Sequence, residues 1–379
     1  MSYEQPRNPP SGDVIERTFR LRRVMSIAID SYADPASAFG FLRSMPQYGS
    51  AAKAENYARL IEAKEAGALV VDAAPAYIRL EPNASCNLRC CWAQRNPKHP
   101  ALRPRGNATP DLARRIVEQI GDRLYQVILC HWGEPTLNKQ LPDIVRVFHD
   151  ADIYTTFDTN MTLMTVPLAE ALIEAGLDRI SGSIDGVAQE SYEQYRILGN
   201  VDRALGGLKH LVDARRRLGR FNPIIRWQFL VFPHNEHEVD RAQQLAREIG
   251  VDEFDVFGAG GRAWSRETGF MPPSKPERPA GVLCDDPWTY LAVDWDGAVH
   301  LCCRAFQAKH VAGHMSEQTL TEIFDNDRFR AARRVICDGA WDAADGPTPC
   351  TGCTKVTRFE PHVAKLGHVL SLEDDKDEC

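Results

Sequence analysis

The sequence predicts an α/β fold, a partial (βα)6 barrel preceded by a helical extension and followed by a small cysteine-rich unit. Three observations predict it. Short apolar runs alternate with helical stretches through the middle of the chain. A Gly-, Arg- and Pro-rich stretch then breaks the alternation. Beyond it, cysteines gather around a hairpin signal.

Each element follows in order. In residues 1–75, Ala52 to Gly67 places Ala54, Tyr57, Leu60 and Ile61 at helical spacing and ends on a capping glycine, which reads as a helical cap or lid. From Tyr77 the strands read YIRL, QVILC, IYTTFD, RISGSI, IIRWQFLVF and FDVF. Between them lie helices at Leu112 to Ile120, Leu141 to His149, Val166 to Ala175, Val201 to Leu218 and Val239 to Ile249. That is about six βα units, fewer than the eight of a closed TIM barrel, so a TIM-like partial barrel is expected over 76–262. The cysteine-rich unit is expected over 263–365, with Asp294-Trp-Asp-Gly297 turning its hairpin, and an acidic tail over 366–379.

Composition bounds the function. The 379 residues carry 45 Lys and Arg against 52 Asp and Glu, a net charge of −7, which gives no general attraction to nucleic acid or an anionic membrane. With 44% hydrophobic and 26% charged residues, the usage is that of a packed globular chain. Asp72 and Arg79 interrupt the richest apolar stretch, Ala68 to Leu80, short of the ~18 residues of a membrane helix. The first residues lack the basic and apolar regions of a secretory signal, so a cytoplasmic protein is expected. In that reducing compartment eleven cysteines read as metal thiolates rather than disulfides.

The sharpest motif is Cys86-Asn-Leu-Arg-Cys90-Cys91-Trp92-Ala93, directly after the first strand. Thiols with three residues between them in a strand-end loop suit an iron–sulfur cluster. The run resembles the C-x3-C-x-aromatic-C motif of radical S-adenosylmethionine (SAM) enzymes at Cys86, Cys90 and Trp92, with Ala93 where that family has its third cysteine. Further elements of the same family follow in order. Trp132-Gly133-Glu134-Pro135 resembles its GGEP element, Phe157-Asp158-Thr159-Asn160 its TNG element with Met161 in place of the glycine, and Ser181-Gly182-Ser183-Ile184-Asp185-Gly186 its SxDG element. Singly these read as turns and strand-end hydrogen bonders. At successive strand ends they fall where parallel βα folds bind ligands. The resemblance implies that Gly133, Glu134, Pro135, Asp158, Asn160, Ser181 and Ser183 hold SAM, and that Cys86 and Cys90 ligate a 4Fe–4S cluster which cleaves it to a 5′-deoxyadenosyl radical. For the missing thiol, Cys91, Gln94 or His99 could substitute, the site could have lost its cluster, or position 93 could have been changed deliberately.

Cys284, Cys302, Cys350 and Cys353 form a second thiol set. Four cysteines could make a structural zinc knuckle. Their spacing, with Gly297-x4-Cys302 and the LTEIFDNDRFRAARR segment before Cys350-x2-Cys353, resembles the SPASM and twitch extensions of the same family, and implies one auxiliary 4Fe–4S cluster. Cys302 is preferred to Cys303 on that spacing, since adjacent side chains of an extended segment diverge. Cys130 reads as structural and Cys379 as incidental, Cys337 as a spare buried thiol, a solvent-facing one or, by the resemblance, the catalytic thiol of a related maturase, and His131 and His149 take no ligand role. Gly258 to Ala263 fits G-x-G-x-x-A but leads into prolines instead of a helix, against a dinucleotide site. The resemblance implies an oxidoreductase or epimerase working on a small polar metabolite, such as an aminocyclitol or sugar, with an external electron donor. A degenerate SAM- or partner-binding protein and a peptide-modifying maturase are the alternatives.

Overall fold

Thr109, Thr165 and Asn200 each turn a side-chain oxygen onto a backbone N–H two or three residues along, which starts a helix where the chain leaves a strand-end loop. Pro110 and a proline after Val166 sit in the first turns, where a missing N–H costs nothing. In the computed structural model, which describes residues 50–90, 104–258, 284–303, 305, 310–338, 348–351 and 353, such starts recur after successive strands.

The elements alternate as the pattern predicts. Helix α1 (Ala51–Glu65) precedes β1 (Tyr77–Leu80), α2 (Pro110–Ile120), β2 (Gln126–Ile128), α3 (Leu141–Asp150), β3 (Tyr154–Thr159), α4 (Val166–Glu174) and β4 (Arg179–Ser183). A short α5 (Gln189–Tyr195), α6 (Val201–Arg217), β5 (Ile224–Val231) and α7 (Val239–Ile249) follow, and β6 (Glu253–Gly258) opens the sixth unit. Then come α8 (Asp286–Thr289), β7 (Tyr290–Val293), β8 (Ala298–His300), β9 (Val311–His314), α9 (Leu320–Phe324) and α10 (Asp327–Cys337).

One sheet runs in the order β6-β5-β4-β3-β2-β1-β7-β8-β9, parallel from β6 to β7 and antiparallel beyond. Strand β7 pairs with β1 along its whole length, Tyr77 opposite Tyr290 and Leu80 opposite Val293, so the sheet passes from the barrel into the cysteine-rich unit. The hairpin turn falls at Asp294–Gly297 as expected, with Gly297 at φ +97°.

Strand alternation separates two faces. Ile78, Leu80, Val127, Phe157, Ile180, Ile225, Trp227 and Phe229 join the hydrophobic core with the helices. Arg79, Asp158, Ser181, Arg226, Gln228 and Asp255 occupy the alternate positions and face the concave side. Helix α1 packs against the amino ends of the first two strands. Tyr57 meets Tyr77 and Tyr125 edge-on at 6.1 and 6.0 Å, at the amino ends of β1 and β2, and Asn56 holds both backbone groups of Ala74 at 2.9 Å. This helix closes the end opposite the strand-end loops. The rest of the expected extension (1–49), Cys91, Trp92, Ala93, Gln94 and His99, the loop from 259 to 263, the tail and Cys379 lie outside the described residues.

Candidate functional site

The loops at the carboxyl ends of β1 to β4 are laced together by short polar contacts. After β1, Asn83 accepts from the Ser85 backbone and donates to Asn107, and the Cys86 thiol accepts from Leu88 N at 3.4 Å. The loop after β2 lies directly on it: a Cβ at Gly133 would stand 1.7 Å from the Asn83 carbonyl, and Glu134 N donates to Ser85 O at 2.6 Å. Only glycine permits that approach.

Glu134 is buried, and its carboxylate accepts from Thr136 N and Oγ1, from Thr159 Oγ1 at 2.7 Å and from Asn160 N at 2.9 Å. Asn160 donates to Asn87 Oδ1 at 2.9 Å, and Asn87 donates to Thr162 Oγ1 at 2.8 Å, so the cysteine loop is tied to the loop after β3. Met161 stands at φ +62°, the left-handed conformation for which the TNG pattern carries glycine. Gly133, Glu134, Pro135 and Asn160 are therefore brought together beside Cys86. The buried Ser183 closes the same rim at the end of β4, opposite Gln228.

Asp158 and Ser181 lie one layer deeper, in the concave face. The buried Arg226 guanidinium donates to Ser181 Oγ at 2.8 Å and lies 3.7 Å from Asp158 and 3.3 Å from Asp255. The two carboxylates keep 45% and 35% of their side chains exposed, against 4% for Arg226. Arg79 donates to the Tyr290 hydroxyl at 3.1 Å and to the Cys130 carbonyl at 3.2 Å. Cys130 is not merely structural packing: its thiol donates to Asp158 at 3.8 Å, and burial, reinforced by that carboxylate, pushes its pKa up to about 12.

Sequence reasoning missed Arg196, Arg79, Arg226 and His131. Arg196 Nη1 lies 3.8 Å from Cys90 Sγ while its Nε is held at 2.5 Å by Asp185. Asp185 itself is fully buried and also accepts from Leu230 N, so it positions the arginine rather than lining the rim. Burial raises the Cys90 pKa, and Arg196 opposes that rise. For Arg226 and Arg79 the available signal was a cation inside an apolar strand, as in IIRWQFLV and YIRL.

His131, given no partner from the sequence, has two. Its Nε2 donates to the Cys303 carbonyl at 3.1 Å, and its Nδ1 stands 3.6 Å from Asp294. Burial pushes its pKa down to about 4.

In the C-terminal unit Cys284 and Cys350 are buried in the core and Cys302 and Cys353 pack against it, with Cys353 N donating to Cys350 O at 3.2 Å. All nine described cysteines are free thiols. Four thiols are the donor set an iron–sulfur cluster takes, so the chemistry fits. Among the described residues, no three His, Cys, Asp or Glu side chains are yet gathered in metal-holding geometry. At the barrel mouth the fit is incomplete: the pattern supplies thiols at Cys86 and Cys90 and an alanine at position 93, so the usual three-thiolate set is not present.

Residues 80–248 match the model of the radical SAM superfamily, and residues 284–354 that of the SPASM iron–sulfur cluster-binding domain. The chain carries a radical SAM domain followed by a SPASM domain. Its two domains imply SAM and 4Fe–4S clusters as the cofactors of the family. Among curated relatives, the AdoMet-dependent heme synthase of Methanosarcina barkeri is 29% identical over 187 residues, 48% of this chain and 50% of that protein. A probable GTP 3′,8-cyclase of Metallosphaera sedula is 30% identical over 125 residues, 33% and 38% of the two chains. This radical SAM chain thus spans half or less of the length of these two relatives. Streptococcus suis SuiB bound to S-adenosylmethionine superposes with a TM-score of 0.57 at 13% identity, covering 91% of this chain and 82% of SuiB, a likeness of fold. No described helix is long and apolar enough to cross a membrane.

Proposed function

We propose that this chain is a SAM-dependent oxidoreductase or epimerase whose substrate is a small hydroxyl- or amino-bearing metabolite, such as an aminocyclitol or sugar, seated in the concave face of the barrel. The observation that carries this reading is the Asp158–Arg226–Asp255 cluster, a buried cation between two half-exposed carboxylates, beside the loops of Glu134, Asn160 and Ser183. The carboxylates offer acceptors to hydroxyl and ammonium donors, while Arg226 fixes their separation and is too enclosed to bind an anion itself. The loops of Gly133, Glu134, Asn160 and Ser183 would hold SAM, their preset hydrogen bonds removing the cost of ordering them. Cys284, Cys302, Cys350 and Cys353 would hold a cluster, which when bound supplies a one-electron acceptor. Free thiols throughout the described residues support work in a reducing compartment such as the cytoplasm.

Ala93 favours a second reading, a family member that keeps the SAM loops and performs no radical chemistry. One experiment separates the two. The chain is loaded anaerobically with iron and sulfide and given SAM, reductant and a small-molecule extract, and products are followed by mass spectrometry. The enzyme reading expects a metabolite to lose two hydrogens or to change configuration at constant mass, and expects Asp158→Asn to cut that by at least about tenfold. SAM that binds and stays intact, with no metabolite altered, supports the second reading.

A further inference from the structure

We propose that His131 is a positioning residue that locks the SAM-side loop after β2 to the turn after β8 that carries Cys302. The link is the His131 ring, enclosed beside two further buried side chains. The His131 ring is 2% exposed, Asp294 7% and His300 1%, and they stand in line from the barrel into the hairpin. The Cys303 carbonyl only accepts, so the 3.1 Å contact places the His131 hydrogen on Nε2. Nδ1 then has no hydrogen and faces Asp294 Oδ1 at 3.6 Å, the wider spacing of two acceptors. Asp294 Oδ2 is held in turn by His300 at 2.8 Å, and Trp132 lies against the other side of the imidazole with ring centroids 5.5 Å apart.

The consequence is mechanical. His131 stands two residues before Gly133 and three before Glu134, and it grips the backbone of the residue next to Cys302, 172 positions away in sequence. The turn it grips is closed by Ala305 N donating to Cys302 O at 3.0 Å. A shift of the Cys302 turn must therefore move an enclosed ring and the loop behind it, and partners of this kind orient ligands. The role of Cys302 as a ligand rests on the function proposed above; the link itself does not.

Two variants of the full chain test it. His131→Phe keeps a ring and loses the donor, whereas the amide of His131→Gln reaches Cys303 O from nearly the same place. In the metal-free protein, His131→Phe is expected to speed hydrogen exchange of the 301–305 turn and of the 133–134 loop together, by about tenfold, while β1 and β4 stay at the wild-type rate and His131→Gln restores both loops. Unchanged exchange, a rise in one loop alone, or a uniform rise through the barrel overturns the proposal. After loading with iron and sulfide, the spin-resonance signal of the C-terminal cluster is expected to shift in His131→Phe and to return in His131→Gln; an unshifted signal in His131→Phe also overturns it. A wild-type chain that takes up no iron at its C-terminal cysteines removes the ligand reading of Cys302, and the exchange measurement still decides the link.

Discussion

Glu134 shows how a single residue organises three loops: its carboxylate takes partners from its own loop and from Thr159 and Asn160, and its backbone N–H reaches back to Ser85. Other residues carry testable charge states. Cys130 is buried with its pKa near 12, while Cys337 is exposed on α10. Alkylation of the folded, metal-free protein at pH 8 followed by peptide mapping is expected to label Cys337 well before Cys130, because the thiolate is the nucleophile and only one of the two can be reached. His131 titrates near 4 when folded, against 6.5 when unfolded. Between those values the unfolded chain binds the extra proton, so the stability is complete above pH 6.5 and lost as the pH falls toward 4. Urea unfolding at pH 7 and pH 5 is expected to show the wild type losing about 2 kcal/mol more than His131→Gln.

At the scale of elements, adjacent glycines in α6 make opposite predictions. A Cβ on Gly206 meets nothing within 4 Å, whereas one on Gly207 would stand 2.2 Å from the Met161 carbonyl, the residue held at positive φ above it. Gly206→Ala is expected to stabilise by about 0.5–1 kcal/mol through helix propensity, and Gly207→Ala to destabilise by about 2 kcal/mol or more, both read from denaturant midpoints. The elements themselves were largely legible. Val239–Ile249 and Tyr77–Leu80 coincide with their apolar periodicity, and the other barrel strands and helices differ only at their ends, where fraying and capping decide. The short α5 carries no apolar stripe of its own, and β9, α9 and α10 take their partners from distant residues, which local pattern does not encode.

Across the whole molecule the hinge between barrel and C-terminal unit is a shared sheet and a buried arginine. Arg333 on α10 is fully buried and donates to the carbonyls of Leu69, Pro287 and Phe324 and to Asp325 at 2.8 Å. Arg333→Met, of similar length but uncharged, leaves three carbonyls and a carboxylate without that donor. It is expected to cost about 3 kcal/mol or more in urea unfolding. The same distinction governs how far the site could be read. The strand-end placement of Gly133, Glu134 and Asn160 was legible because each motif follows one strand. Arg196 over Cys90 and His131 against Cys303 join residues 106 and 172 positions apart, and only the closed sheet brings them together. Asp158 and Ser181 were expected to hold SAM, and their place beside Arg226 depended on the register of β3, β4 and β5.

The claim that this fold still performs SAM-dependent chemistry is tested most directly by quantifying 5′-deoxyadenosine after anaerobic loading with iron and sulfide, addition of SAM and reduction, in the wild type and in Ala93→Cys. The account predicts 5′-deoxyadenosine from the wild type, within about tenfold of the variant. Its appearance in Ala93→Cys alone, with SAM intact in the wild type, would contradict the account.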